Sequence, residues 1–307
     1  MLKRAAQLVA NSALNILVVV AITFVLLDLS PIDEVRIRLG NRYNERDAAI
    51  LRHQLGLDRS ITVQFTLYLE RLLKGDFGVS RLTGASIGGT MSETLPVSGR
   101  LILLSVFFSL PWLVLGVVAA LKKPGSWRWV ERSLFALSAL PLFALGVLLI
   151  VLAGAAFGVN LLADSRSNSR LPDYLVPALL LAIYPSFVLF RTTRDTLSEA
   201  LSHRSVLFLK SLGFSDRRIV GGWVLRSCLV TVLVIAGNLA AYFLTSIYIV
   251  ESLFSLGGFG SWVVNSSLNF DYYAVVATVV VTAVIYRVVA TTTAMLVPLL
   301  DPRTLRC

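Results

Sequence analysis

Charge is scarce in this chain. Asp, Glu, Lys and Arg make up only 15% of its 307 residues, where a soluble domain carries roughly 25%. That deficit excludes an ordinary water-soluble fold. Cysteine is nearly absent as well. Cys228 and Cys307 lie far apart with no paired spacing, which argues against a disulfide framework or a cysteine zinc site. His53 and His203 stand alone and are expected to be structural or solvated. No G-x-x-x-x-G-K-[ST] string occurs, so the chain lacks the phosphate-cradling loop an ATPase of that class requires.

What the chain has in abundance is apolar sequence, 56% of its residues, much of it in long uncharged blocks. Crossing a bilayer core takes about 20 apolar residues in helical form, and lipid demands that each segment satisfy its own backbone. The blocks predict an all-α integral membrane protein with about six spans, near 7–29, 101–121, 134–159, 174–190, 229–249 and 274–300. The fourth is the shortest and holds Pro177 and Pro185. The first follows Lys3 and Arg4, is longer than a secretory signal core and has no small-x-small site after it, so it reads as an uncleaved anchor. The organisation is thus an anchor helix (1–29), an extracytoplasmic loop region (30–100) and a five-helix core (101–307) carrying a cytoplasmic loop at 191–226.

The formal net charge of +10 is spread over several loops rather than one soluble face, which argues against nucleic acid as a partner. Its distribution instead sets an orientation. One side collects Lys3, Arg4, Lys122, Lys123, Arg128, Arg132, Arg191, Arg194, Arg204, Lys210, Arg217, Arg218, Arg226, Arg303 and Arg306, and the short segments opposite hold only Arg166 and Arg170. By the positive-inside rule both termini are expected in the cytoplasm.

Two loops carry pattern. In the first, 45–55 has helix composition, and 64–73 places Phe65, Leu67, Leu69, Leu72 and Leu73 in a second helical stretch. Gly75, Asp76 and Gly78 form a turn cluster, and Gly84, Gly88 and Gly89 mark a further flexible stretch. This region is either a cap packed on the spans or a docking surface. In the second, 196–212 lacks Gly and Pro, and Val206, Leu209 and Leu212 recur at helical spacing beside Phe208. Gly213 is expected to stop that helix, and Ser215 to cap another beginning at Asp216. The pair either lies on lipid headgroups or fills a groove on a soluble partner.

Charges inside spans are costly and are functional candidates by default. Arg287 is either a pathway charge or a packing or snorkelling arginine. Asn238 and Tyr242 either line a pathway or pack between helices. Apart from Asp28 near one end, the spans offer Arg287 and hydroxyl groups, too little for an intramembrane enzyme.

Several strings occur in a shared order. They are Pro31-Ile32-Asp33-Glu34-Val35, Leu55-Gly56-Leu57-Asp58, Gln64-Phe65, Gly75-Asp76-Phe77-Gly78-Val79-Ser80 and Leu95-Pro96-Val97. Further on come Glu199-Ala200, Gly213-Phe214-Ser215 and Arg226-Ser227. Val250-Glu251-Ser252-Leu253-Phe254, Gly257-Gly258-Phe259-Gly260, Asp271-Tyr272 and Asp301-Pro302-Arg303 complete the series. In this order they resemble the permease subunits of dipeptide, oligopeptide and nickel ABC importers over nearly the whole chain. The chain departs from that pattern at Arg204-Ser205-Val206, at the bulky Leu209 and Leu212, and at Thr231, Ala290 and Ala294.

The resemblance implies a type I ABC importer permease fold in a bacterial inner membrane. It implies import of peptides or related small solutes by alternating access, with nickel or another metal chelate, or a non-transporting scaffold role, as alternatives. Glu199, Ala200, Ser205, Leu209, Gly213, Phe214, Ser215 and Arg226 would form the ATPase-coupling loop. Asp76, Phe77, Gly78, Glu251, Phe254, Gly258, Gly260 and Asp271 would form the binding-protein docking region or pathway mouth. The implied partners are a second homologous permease, one or two ABC ATPase subunits, an extracytoplasmic substrate-binding protein and the lipid bilayer. No cofactor or metal is implied in this chain, and ATP and Mg would bind the ATPase subunits, which alone would be enzymes.

Overall fold

The structure is a computed structural model that describes residues 2–28, 34–39, 43–55, 58–80, 83–122, 127–163, 170–219, 221–222 and 225–300. The motif residues Pro31, Ile32, Asp33, Gly56, Leu57, Asp301, Pro302 and Arg303 lie outside the described residues, as does the side chain of Arg226.

Helices account for nearly all of the regular structure among the described residues. In order they are α1 (Leu2–Asp28), α2 (Glu34–Leu39), α3 (Glu45–Leu55), α4 (Ile61–Leu73), α5 (Ile87–Leu121), α6 (Arg128–Ala139) and α7 (Leu142–Phe157). There follow α8 (Leu171–Ser202), α9 (Arg204–Ser211), α10 (Asp216–Ile219), α11 (Leu225–Phe254), α12 (Phe259–Leu268) and α13 (Tyr272–Leu300). Among them α1, α5, α8, α11 and α13 are each long and apolar enough to cross a bilayer, and α6 with α7 supplies a sixth crossing if the bent pair counts as one.

Three spans differ from their sequence expectation. The second does not start near 101: α5 begins at Ile87, so Gly88, Gly89 and Pro96 sit inside a helix instead of a flexible loop. A proline is tolerated there because neighbouring groups in a membrane protein can take up the freed carbonyl. The third span is not continuous, since α6 and α7 meet at 96°. Leu140 is extended (φ −77, ψ 141) ahead of Pro141 (φ −57, ψ 129), as steric pressure from a following proline ring requires. The fourth is not the shortest, for α8 runs 32 residues through Pro177 and Pro185.

The chain forms two compact units. The first comprises Met1–Leu95 and Trp262–Arg287. Its core joins Val20 and Phe24 of α1, Tyr68 of α4, and Val276 and Val280 of α13, with Phe65, Leu69 and Leu72 packed around them. Phe65, Tyr68, Leu69 and Leu72 of α4 thus face α1 and α13, whereas Leu73 is 88% exposed. The second unit comprises Pro96–Ser261 and Val288–Cys307. Its axis is α8, whose Tyr174, Ala178, Leu180 and Leu181 join Leu101 of α5, Leu145 of α7, and Phe243, Ile247, Val250 and Phe254 of α11 in one core. Close approach depends on two glycines. A Cβ on Gly116 would stand 2.7 Å from the Phe190 carbonyl oxygen, and one on Gly146 2.9 Å from Leu253 Cδ1. Small residues that let helix backbones approach are the usual route to tight packing in lipid, where hydrophobicity alone does not hold helices together.

Candidate functional site

The loop at 191–226 is an elbow built on the end of α8. The expected single helix over 196–212 is interrupted: α8 ends at Ser202 and α9 begins at Arg204. His203 is extended between them (φ −66, ψ 141). Its Nδ1 lies 3.1 Å from Ser205 Oγ and accepts the Ser205 N–H at 3.4 Å. A side chain that satisfies the free N–H groups of a new first turn competes with helix continuation. Gly213 then closes α9 with φ +84, the left-handed backbone that glycine adopts without strain. The Phe214 N–H reaches back to the Leu209 carbonyl at 3.2 Å. Ser215 opens α10, its carbonyl accepting from the Arg218 and Ile219 N–H groups.

The elbow has a buried base and exposed tips. Leu197, Val206 and Ile219 are buried against Val117 and Ala120 of α5, with Ala200, Leu201 and Leu209 around them. Glu199, Ser205, Gly213 and Ser215 are exposed, as are Phe208, Leu212 and Phe214, at 63%, 59% and 40%. The Arg218 guanidinium sits 5.4 Å over the Phe214 ring. Leu209 and Leu212, read as departures, therefore do different things: one helps fix the elbow and the other faces outward.

Glu251 occupies the last turn of α11 and is fully buried. It accepts from Ser98 Oγ of α5 at 2.5 Å through Oε1 and from the Ser261 N–H at 3.1 Å through Oε2. Ser98 Oγ in turn accepts the Phe259 N–H at 2.8 Å. The carboxylate and the serine thus cap the first turn of α12 from outside, where unsatisfied N–H groups and the helix dipole favour a negative charge. Gly258 and Gly260 are required by this arrangement. A Cβ on Gly258 would fall inside the Glu251 carboxylate, and one on Gly260 2.9 Å from the Tyr248 Cα. Phe254, also fully buried, closes the core beneath, and its carbonyl accepts the Ala163 N–H at 2.9 Å.

In the first unit, Asp271 caps α13, its carbonyl accepting the Val275 N–H at 2.9 Å. Its buried carboxylate accepts from Ser80 Oγ at 2.5 Å. Ser80 belongs to the turn that follows Asp76, whose carboxylate is exposed and accepts the Gly78 N–H at 2.9 Å. Gly78 has φ +82, and Phe77 is half-buried beside it. Of the residues read as a docking region or pathway mouth, Glu251, Phe254, Gly258, Gly260 and Asp271 are buried and Asp76 is exposed. Glu251 and Asp271 brace the loops beside them from within. The partners Ser98 and Ser261 carried no signal in the sequence, and Ser80 only as the end of a motif string, since serine is common and these pairings span up to 191 positions.

Asn238 is exposed on α11, on the same stripe as Val234, Thr245 and Ile249. Tyr242 lies next to that stripe. Its ring is 4.7 Å from that of Tyr184 on α8, and its hydroxyl reaches the Leu181 carbonyl at 3.4 Å. Tyr184 is 40% exposed and was not singled out by sequence. Arg287 is half-buried on α13. Among the described residues no three His, Cys, Asp or Glu side chains converge.

Residues 94–306 match the family described as binding-protein-dependent transport system inner membrane component, and residues 1–102 match its N-terminal counterpart. The chain is 30% identical over 295 residues to the dipeptide transport system permease protein DppB of Bacillus subtilis, covering 95% of this chain and 94% of that one. It is 30% identical over 261 residues to the DppB of Lactococcus lactis, covering 83% and 84%. The glutathione transport system permease protein GsiC of Salmonella paratyphi A is 28% identical over 272 residues, 86% of each chain. Together with the apolar helices, these matches make it a multi-pass protein of the bacterial inner membrane and a permease component of an ABC transport complex. The chain belongs to the family of binding-protein-dependent transport system inner membrane components.

Proposed function

We propose that the chain is one of two homologous membrane subunits of an ATP-driven, binding-protein-dependent peptide importer that works by alternating access. The observation that carries the coupling part of this reading is the elbow. Its base is locked by Leu197, Val206 and Ile219, while Phe208, Leu212 and Phe214 remain exposed. An element fixed to the spans and apolar at its tip can transmit rigid-body motion from a soluble partner. That partner is an ABC ATPase subunit, and ATP and Mg bind there. Glu199, Ala200, Ser205, Leu209, Gly213, Phe214, Ser215 and Arg226 form the coupling surface and its support.

Peptide is favoured as the substrate by the relatives, which are named for dipeptide, peptide and glutathione transport. An extracytoplasmic binding protein delivers it, and the exposed Asp76 is a candidate for its contact. Asn238, Tyr242 and Arg287 are the pathway residues, joined by Tyr184 through its ring contact. Polar groups on an exposed helix face are poorly served by lipid, which supports a pathway or partner on that face of α11. Both termini lie in the cytoplasm, following the distribution of Lys and Arg.

The test is co-purification with the ATPase, the second permease and the binding protein, followed by reconstitution in liposomes. Peptide-loaded binding protein is expected to stimulate ATP hydrolysis and peptide uptake, and Phe214→Ala to uncouple the two. Hydrolysis indifferent to the loaded binding protein, with every partner present and no uptake, overturns the reading.

A further inference from the structure

Helix α6 has no role in the scheme above. Its twelve residues carry three different faces. Val130 and Leu134 are buried against Phe187 and Phe190 of α8. Beside them Glu131 forms a two-pronged ion pair with Arg194, at 2.5 and 2.9 Å. Next around the helix come Arg128 and Arg132, one turn apart and both exposed, neither closing an ion pair among the described residues. The remaining flank is open: Trp129, 70% exposed, then Ser133 and Ala136, with Leu140 exposed just past the helix end.

Position and direction agree with this pattern. Phe187 and Phe190 form the last apolar turn of α8 before Arg191 and Arg194, so α6 lies where that span leaves the hydrocarbon. Helix α7 departs from α6 at 96° and runs into the core, where Gly146 meets Leu180 and Leu253. If α7 crosses the membrane, α6 lies along its surface. A helix lying there places basic side chains among headgroups and aromatic and aliphatic ones among the upper acyl chains.

We propose that α6 is an interfacial helix whose Arg128 and Arg132 bind the phosphate of anionic phospholipids, with Trp129 and Leu140 seated among the acyl chains. Guanidinium groups one turn apart present paired donors to phosphate oxygens. Each basic residue at an anionic leaflet contributes a factor of about five in affinity. The Glu131–Arg194 pair ties this lipid contact to α8, eight residues before its end at Ser202. The proposal depends on the membrane location and not on the import reading.

The test uses the full chain purified with its partners from a mixture of phosphatidylglycerol and phosphatidylcholine, with retained lipid counted by native mass spectrometry. The wild type is expected to retain phosphatidylglycerol preferentially. In Arg128→Gln/Arg132→Gln that preference is expected to fall more than ten-fold, by the per-residue factor above, and Arg128→Lys/Arg132→Lys to restore part of it. Equal retention in wild type and the glutamine variant overturns the proposal. So does unchanged lipid with loss of a co-purifying subunit, which would make this a protein contact. A second measurement needs no charge change: phospholipid brominated on the upper acyl chain is expected to quench fluorescence that disappears in Trp129→Phe. No difference between the two quenching curves places Trp129 outside the bilayer and likewise overturns it.

Discussion

A carboxylate buried in a membrane protein is tolerated only when its hydrogen bonds are made, and Glu251 shows how few side chains that takes. Ser98 and the backbone at Ser261 supply the donors, and Gly258 leaves room for the group itself. Glu251→Ala strips those donors of their acceptor, at a cost of about 3 kcal/mol, read as a lower thermal midpoint of the purified protein. Ser98→Ala is expected to cost less, about 1 kcal/mol, because the Ser261 contact survives. Gly258→Ala forces a methyl group into the carboxylate, and overpacking of this kind costs roughly 1–3 kcal/mol. An unchanged midpoint for both Glu251→Ala and Gly258→Ala would show that α12 is held by something else.

At the scale of elements, the elbow separates stability from coupling. Leu197 is fully buried at its base, so Leu197→Ala is expected to lower stability by roughly 2–5 kcal/mol, with activity falling alongside. Gly213→Ala puts a side chain at φ +84, where left-handed backbone costs about 1 kcal/mol, and disturbs mainly the end of α9. Its expected signature is reduced stimulation of the partner ATPase at nearly unchanged thermal midpoint. The opposite pattern, a large loss of stability with coupling intact, would reduce the elbow to a packing element. The helix composition over 45–55 and the Gly213–Ser215 junction were both legible in advance, because caps and propensities act within one turn. The break at His203 was not. Nothing in the composition of 196–212 marks it, and it depends on an imidazole meeting Ser205 in space.

For the whole molecule, the membrane environment sets the terms. Five long helices and the bent α6–α7 pair account for the spans, and the distribution of basic residues predicts their direction. A fluorescent protein fused to either terminus is expected to mature and emit, whereas alkaline phosphatase at the same points is expected to be inactive. Active phosphatase at either end would reverse the topology. The two compact units are each assembled from segments far apart in the chain. Trp262–Arg287 groups with Met1–Leu95, an association between distant segments that no local composition records.

The sequence alone determined the solvent and the secondary structure. Transfer of uncharged blocks from water to lipid, and the obligation of each block to satisfy its own backbone, are properties of contiguous residues. Motif order, likewise linear, was enough to indicate the family. Tertiary structure decided where the polar groups went. Ser98 meets Glu251 across 153 positions and Ser80 meets Asp271 across 191, and each pairing braces a loop from within. It also turned the third span at Pro141 and laid α6 beside Phe187 and Phe190. Such pairings are chosen by burial, which is a property of the packed chain and of no segment by itself.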